Sequence, residues 1–442
     1  MGLNNKTSNT FRVLENNKQF SIFVTIYVSE GNTDEDLNIS LNLADLEEVV
    51  YENKFNDLLT RGHVVFTDKY GDMDKFMSKQ YVYLDLMLSY DEEKEDKTHQ
   101  TAPMTKENTL LTRFIVQNIK VLSRVGYTVK YKLDIISKNW FNCAAQLNFT
   151  NYGKDPEPVF DIFKACLVQQ GLKINQKMFD KVKTEVKLNY ITQQNSNLFD
   201  VARYLFHKLY YFKTKEESMK FFTYNEFDDK YSLFDVKDKD TINGLHTVCV
   251  SFFKSNAEGL SNGDVDMNSF SHGLPKTKLY NNFFEYNMYD YDYERSCFTN
   301  QKISEDDLLL YANNKLDHCD YVNKYKKRFY NGLEYSNAGA FWNNNQNIYD
   351  DMFQVLNETD SFIVDVAGDL HRYPGSYLNI VIDRNMKAAG SNSKEELERM
   401  KKKYRSFEGM FLVTKIIHTI RPTAEKKRFK QQFVACRNFL PK

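Results

Sequence analysis

Near the end of the chain, Asp369 and His371 share a Gly-punctuated turn between two strand-like runs, Phe362–Val366 and Tyr377–Asp383. An acid and an imidazole two residues apart have the makings of an acid/base pair. No third group is evident to orient them, and a turn dressed with polar side chains is the plainer reading. Asp264, Asp266 and Asn268 alternate like the opening of a calcium loop. The motif then fails, because Ser269 stands where the sharp turn needs Gly and Pro275 where the closing Glu belongs. His63, His207, His246, His272, His318 and His418 are scattered; His318 adjoins Cys319, but no paired Cys/His spacing of a zinc site exists. His207 follows the apolar face of a helix and reads as core-edge packing. Phosphate-cradling, dinucleotide and serine-hydrolase signatures (GxxxxGKS/T, GxGxxG after a strand, GxSxG) are missing. Two basic clusters have the charge to touch phosphate: Arg399, Lys401, Lys402, Lys403 and Arg405, and Lys426, Lys427, Arg428 and Lys430. Glu395, Glu396 and Glu398 balance the first, so both read more simply as solvated faces. No catalytic, cofactor-binding or metal-ligating residue is assigned on these grounds. The paired carboxylates of a glycosidase are set by the fold and not by spacing, so that reading stays open here, and no cofactor is expected.

Composition narrows the class. The chain has 442 residues, which allows two to four domains. Hydrophobic residues make up 42%, enough for buried cores. Lys plus Arg number 59 against 60 Asp plus Glu, so no global field points at nucleic acid or an anionic membrane. No apolar run approaches the roughly 18–20 residues of a membrane span. The polar first ten residues lack a signal-peptide core. Lys6 occupies the slot where myristoylation wants Ser or Thr, so no membrane anchor is expected. The six cysteines, Cys143, Cys166, Cys249, Cys297, Cys319 and Cys436, form no CxxC pair and read as reduced thiols. Tyr numbers 29, and tyrosine favours interfaces; ordinary core aromatics and codon bias are the competing source.

The elements that would position these residues are mostly strands. Phe20–Val28 is β-branched and aromatic. Leu37, Ile39, Leu41 and Leu43 alternate with Asn38, Ser40 and Asn42, the period of a half-buried strand. His63–Thr67 and Tyr81–Leu88 follow. The charged stretch 91–108 reads as an exposed loop. Phe114–Leu122 and Tyr127–Ile136 pair through Ser123–Gly126. Six or so strands with polar turns point to a small barrel or sandwich. The character changes near residue 153. Asp155-Pro156 starts a helix carrying Val159, Ile162, Phe163, Cys166 and Leu167, with Gly171 as its stop. Val182–Ile191 reads as a strand. A helix from Ser196 buries Leu198, Phe199, Ala202, Leu205, Phe206 and Leu209, and Phe221–Val236 gives short strands joined by acidic turns. Strand character returns at Thr241–Phe253. Residues 255–340 are loop-like and polar-aromatic, and 341–358 hold one helix. The end of the chain reads as Phe362–Val366, Tyr377–Asp383, Gly409–Ile420 and Phe429–Phe439. A charged helix interrupts it, opened by the capping box Ser393-Lys394-Glu395-Glu396.

Three segments carry a resemblance to a known family. They are the β region containing Asn53–Asp68, the α/β unit Val159–Val236, and the run from Val366-Ala367-Gly368-Asp369 through Pro374-Gly375 and Ile380 to Leu412–Thr419 and Phe439. That last run is similar to a family pattern: a Gly, then Pro-Gly, a strand, an apolar strand ending near a His, and a closing strand. The layout resembles the tail or baseplate hub proteins of bacteriophages. That group includes the hub ring of contractile baseplates, late control protein D and the N-terminal part of VgrG. The resemblance implies a mainly β chain with an α/β insertion (α+β), that is, two related β-barrel domains separated by a mixed α/β unit. The expected boundaries are 11–150 for the first barrel, 151–240 for the α/β domain, 241–254 with 360–442 for the second barrel, and 255–359 for an insertion with an irregular segment and a helix.

What the resemblance implies about function is mechanical. Three such chains place six barrels in a pseudo-sixfold ring that joins the tail tube or distal tail proteins on one face to the spike or tip protein on the other. The lumen continues the channel of genome ejection, with DNA passing through unbound. The chain would then be a structural virion protein, a homotrimer assembled in the host cytoplasm. The alternative is a peptidoglycan-degrading hydrolase at the tail tip, which needs a cleft with paired carboxylates or a metal. A carbohydrate-binding tail protein is a third reading, though no fibrous repeat is visible.

Overall fold

The computed structural model describes residues 10–12, 19–28, 38–91, 109–148, 151–182, 187–191, 195–209, 220–226, 228–235, 245–251, 265–266, 270–273, 286–292, 297–303, 328–331, 361–370, 372–382, 409–423 and 428–436. In chain order the first β unit contains β1 (Thr10–Arg12), β2 (Gln19–Tyr27), β3 (Asn38–Leu41), β4 (Leu46–Lys54), β5 (Arg61–Asp68), β6 (Tyr83–Asp91), β7 (Thr109–Val125) and β8 (Thr128–Ser137). A mixed unit follows: α1 (Trp140–Ala144), β9 (Asn151–Pro158), α2 (Val159–Gln169), α3 (Gln176–Lys181), β10 (Lys187–Ile191), α4 (Leu198–Leu209), β11 (Lys220–Asn225) and β12 (Lys230–Asp235). The remainder is β13 (Leu245–Ser251), β14 (Val265–Asp266), β15 (Phe270–Gly273), β16 (Tyr286–Asp292), β17 (Cys297–Ile303), β18 (Arg328–Asn331), β19 (Ser361–Ala367), β20 (Tyr377–Ile382), β21 (Gly409–Arg421) and β22 (Arg428–Cys436). The chain is therefore mainly β. Fifteen strands join one large, curled, chiefly antiparallel sheet.

Alternation explains the first unit. Leu84, Leu86 and Leu88 of β6 point inward with Phe20, Ile22, Val24 and Ile26 of β2 and with Tyr131, Leu133 and Ile135 of β8. These side chains line one core because successive strand residues face opposite ways. Ile115 and Ile136 face the other way. They join a second core with Leu58 and Leu59 of the β4–β5 connection and with Ile162, Phe163, Leu167, Leu198, Leu205, Phe222 and Leu233 of the mixed unit. The mixed unit is thus held to the back of the sheet by apolar burial. Cys143 and Cys166 lie buried in that layer as free thiols, and burial pushes the Cys143 thiol up to about 12.

The two β units share one strand order. Numbered along the chain, β2, β4, β5, β6, β7 and β8 lie side by side as β2-β6-β7-β8-β5-β4. The strands β13, β15, β19, β20, β21 and β22 lie as β13-β20-β21-β22-β19-β15. Both orders read first, fourth, fifth, sixth, third, second. One contact differs in sense: β13 and β20 run parallel where β2 and β6 run antiparallel. The fifth strands also match in detail. Each leaves its fourth-strand neighbour, at Ile115 on β7 and Leu412 on β21, and then carries a bulge, between Val116 and Asn118 or between Val413 and Lys415. A bulge at such a point bends and twists the strand away from its neighbour.

Two glycines of the Gly to Pro-Gly run are there for space. The Gly368 N–H donates to the Phe429 carbonyl at 2.7 Å, and a Cβ on Gly368 would fall 2.1 Å from the Phe429 ring. Gly375 sits at φ +99°, where side chains are strained, and a Cβ there would meet the Phe234 ring at 2.9 Å.

Some expectations shift. Asp155-Pro156 lies within β9, and helix α2 begins at Val159. The pairing of Glu157 and Pro158 with Leu188 and Lys187 keeps the chain extended up to that point. Val182 caps helix α3, and among the described residues the predicted strand appears as β10. The hairpin turn falls at Gly126-Tyr127, because β7 runs to Val125. The loop-like stretch 255–340 contributes β14 to β18, of which β14 and β15 join the large sheet. The exposed loop at 92–108, the helix at 341–358 and the charged helix at 393–405 lie outside the described residues.

Candidate functional site

A buried polar seam forms where the two β units meet. On one edge β4 pairs with β5; on the other, Val49–Lys54 pair with Ile420–Lys415 of β21. That register sets Tyr51 opposite His418, and their rings stack at 4.3 Å with 9° between planes. Both are buried. Burial pushes the Tyr51 phenol well above its usual range. Burial, and secondarily the Arg372 charge, holds His418 down at about 3, so its imidazole is neutral at physiological pH. Gln431 anchors the ring. Its Nε2 lies 3.1 Å from His418 Nδ1 and donates to the Asp369 carbonyl at 2.6 Å. Its Oε1 accepts from the Asp369 N–H at 3.1 Å and from Arg372 at 3.3 Å. With Nδ1 accepting, the ring proton sits on Nε2. Neither His418 Nε2 nor Tyr51 Oη finds a hydrogen-bond partner among the described residues.

The mixed unit reaches the same seam through Glu226, in the turn between β11 and β12. Its carboxyl is buried beside Thr60 and Asn53, which hydrogen-bond each other at 2.6 Å. Burial pushes the carboxyl up to about 7, with Thr60 and Asn53 opposing the rise. The Glu226 charge in turn adds to the raising of Tyr51. Nearby, the Tyr231 hydroxyl donates to the Leu58 carbonyl at 2.6 Å, a second polar tie between the mixed unit and the sheet.

The residues singled out from sequence come together only in part. The Asp369 carboxylate lies 4.0 Å from Arg372, while its backbone is clamped by Gln431. That is the geometry of a braced turn. His371, the residues around His318 and Cys319, and most of the calcium-like stretch lie outside the described residues, as does the first basic cluster. His418 sits mid-strand within the sheet, and His63 lies 3.5 Å from Glu48. Among the described residues no three His, Cys, Asp or Glu side chains converge as a metal site requires. No described helix is long and apolar enough to cross a membrane. Sequence reasoning passed over Tyr51, Glu226 and Gln431. Glu226 is one acid in an ordinary acidic turn, and nothing local marks it as buried.

Two surface features stand out. A shallow cleft is lined by Glu47, Glu48, Leu122, Lys130 and Arg421, where Lys130 pairs with Glu47 and Arg421 with Glu48. Beyond Val116, β7 has β8 on one side and no described strand on the other. The tip of that hairpin exposes Val121 (54%), Leu122 (49%), Val125 (79%) and Tyr127 (91%).

No protein-family model and no curated protein sequence matches the chain. Solved structures do. A tail protein from Neisseria meningitidis MC58 aligns at TM-score 0.49 and 9% identity, over 94% of this chain and 96% of that one. The 43 kDa tail protein of prophage MuSo2 from Shewanella oneidensis aligns at TM-score 0.49 and 8% identity, over 94% and 98%. The E. coli c3393 protein, described as a type VI secretion component with similarity to the T4 tail proteins gp27 and gp5, aligns at TM-score 0.40 and 11% identity, over 90% and 76%.

Proposed function

We propose that the chain is a structural, non-catalytic hub protein of a phage tail, acting as a homotrimer within the virion. The observation that carries this reading is the repeated strand order, fused into one sheet through β4 and β21. A chain with two like β units offers two like surfaces. Three copies related by a threefold axis then offer six, so one ring can meet a sixfold tube on one face and a threefold spike on the other. In this reading each β unit closes as a barrel: residues 11–150 form the first, 241–254 with 360–442 the second, 151–240 the mixed domain, and 255–359 an insertion. The lumen continues the channel through which DNA leaves, and the ring is put together in the host cytoplasm. The Gly368 to Gly375 turn and the apolar strand β21 stand where the family pattern puts them.

The test is the mass of the purified chain by light scattering over a concentration series. A stable species at three times 52.2 kDa is expected. Its interfaces should bury on the order of 2,000 Å² or more, as permanent assemblies do. A monomer at every concentration, together with turnover of purified peptidoglycan, would replace the hub with the tail-tip hydrolase.

A further inference from the structure

The repeated strand order assigns a partner to the bare edge of β7. Within the chain, the second strand of the first unit, β4, pairs with the fifth strand of the second unit, β21, just beyond the bulge at Val413. The equivalent stretch of the first unit is β7 beyond the bulge at Val116, and no described strand covers it. The equivalent of β4 in the second unit is β15, which pairs with β19 on one edge and with no described strand on the other. One edge in each unit is therefore satisfied inside the chain, and its counterpart has no strand beside it among the described residues.

We infer that β15 of one copy pairs with β7 of the next, repeating between copies the contact that β4 and β21 make within one. An open strand edge presents unpaired backbone donors and acceptors that another strand satisfies directly. The exposed Val121, Leu122, Val125 and Tyr127 supply apolar area beside that edge. Because the contact joins two different strands, it is head-to-tail, the kind of interface that closes into a ring when its rotation divides the circle. The register follows from the ladders. Val121 pairs with Tyr131 as His418 pairs with Gln431, so Val121 holds the place of His418. Phe362 joins His272 to Ala435, and Gly62 joins Tyr51 to Ile135, so His272 holds the place of Tyr51. Since Tyr51 pairs with His418 within the chain, His272 of the next copy faces Val121.

This inference rests on the ring reading, and the experiment separates the two. The full chain is prepared with Val121→Cys and His272→Cys together, and with each alone. Facing residues of an antiparallel pair have Cα atoms about 4.5–5.5 Å apart, within disulfide range. Mild oxidation of the double variant is expected to give covalent dimers and trimers that reductant dissolves, while the single variants give none. Separately, Leu122→Asp at an exposed position is expected to weaken self-association at least tenfold while leaving the far-ultraviolet circular dichroism of the chain unchanged. A double variant that has trimer mass yet cross-links no more than the single variants overturns the pairing and leaves the ring. A Leu122→Asp chain that associates as the parent does also counts against the pairing. A monomer at every concentration overturns both ring and pairing.

Discussion

Glu226 and His418 titrate against each other. The carboxyl has a folded-state pKa of about 7, above its ordinary 4.5. Its contribution to stability is therefore full below pH 4.5 and is lost as pH rises to about 7. The imidazole has a folded-state value of about 3, below its ordinary 6.5. Its contribution is full above pH 6.5 and is lost as pH falls towards 3. Between about pH 4.5 and 6.5 the folded chain holds one proton more than the unfolded chain at Glu226 and one fewer at His418, so the two slopes cancel. At about 1.4 kcal/mol per pKa unit, the carboxyl accounts for roughly 3 kcal/mol and the imidazole for roughly 5 kcal/mol. Denaturant midpoints measured from pH 4.5 to 7.5 should expose this. Glu226→Gln removes the falling slope, so its stability relative to the parent should grow with pH. His418→Phe removes the rising one, so its stability relative to the parent should shrink with pH. Parallel curves for all three proteins would mean that these groups do not titrate as their burial dictates.

At the scale of elements, the hairpin of β21 and β22 does more than finish the second unit. Ile420 and Phe429 lie in the core built by the first unit, and Phe429 meets Phe20 edge-on at 5.2 Å. Removing the ring with Phe429→Ala should cost roughly 3–5 kcal/mol, as for other fully buried aromatics. Gly368 supplies a sharper check. A Cβ there collides with the Phe429 ring, so Gly368→Ala alone should be strongly destabilising. In the Phe429→Ala background that collision is gone, and the same change should cost little, giving a coupling of at least 1 kcal/mol or so in a double-mutant cycle. Additive costs would place the ring elsewhere. Such relations were only partly legible in the sequence. The strands of the first unit announce themselves because apolar and polar residues alternate, as Leu84, Leu86 and Leu88 do. β16 hides because Tyr286–Asp292 mixes Tyr, Asn, Met and Asp without one apolar face. β15 is four residues long and gives periodicity no room. Helix α2 starts late because a long-range pairing with β10 overrides a good local start signal. Tyr51 and Gln431 were out of reach altogether, since a seam between residues nearly four hundred positions apart exists only once the sheet has formed.

At the scale of the whole molecule, these ties make the described units interdependent. The sheet runs without a break from β6 through β4 into β21, so no strand edge separates the two β units there. Side chains of the second unit, Leu370, Ile420 and Phe429, complete the core of the first. The mixed unit shares its own core with Leu58 and Leu59 of the β4–β5 connection and with Ile115 and Ile136 of the sheet, and its Glu226 carboxyl ends at Asn53 and Thr60. A unit that unfolded alone would leave apolar surface of its neighbour in water and strip β4 of a ladder partner, both of which raise the cost of the half-unfolded state. The β units should therefore unfold in one calorimetric transition, with the mixed unit following the same transition, despite a length at which separate domains are common. Two resolved transitions, with Phe429→Ala lowering only one of them, would show that the seam is a contact between independent bodies. A single transition that Phe429→Ala and Glu226→Gln both move would mark it as the joint that lets one chain present its two like β units at a fixed angle, as the proposed ring of three copies requires.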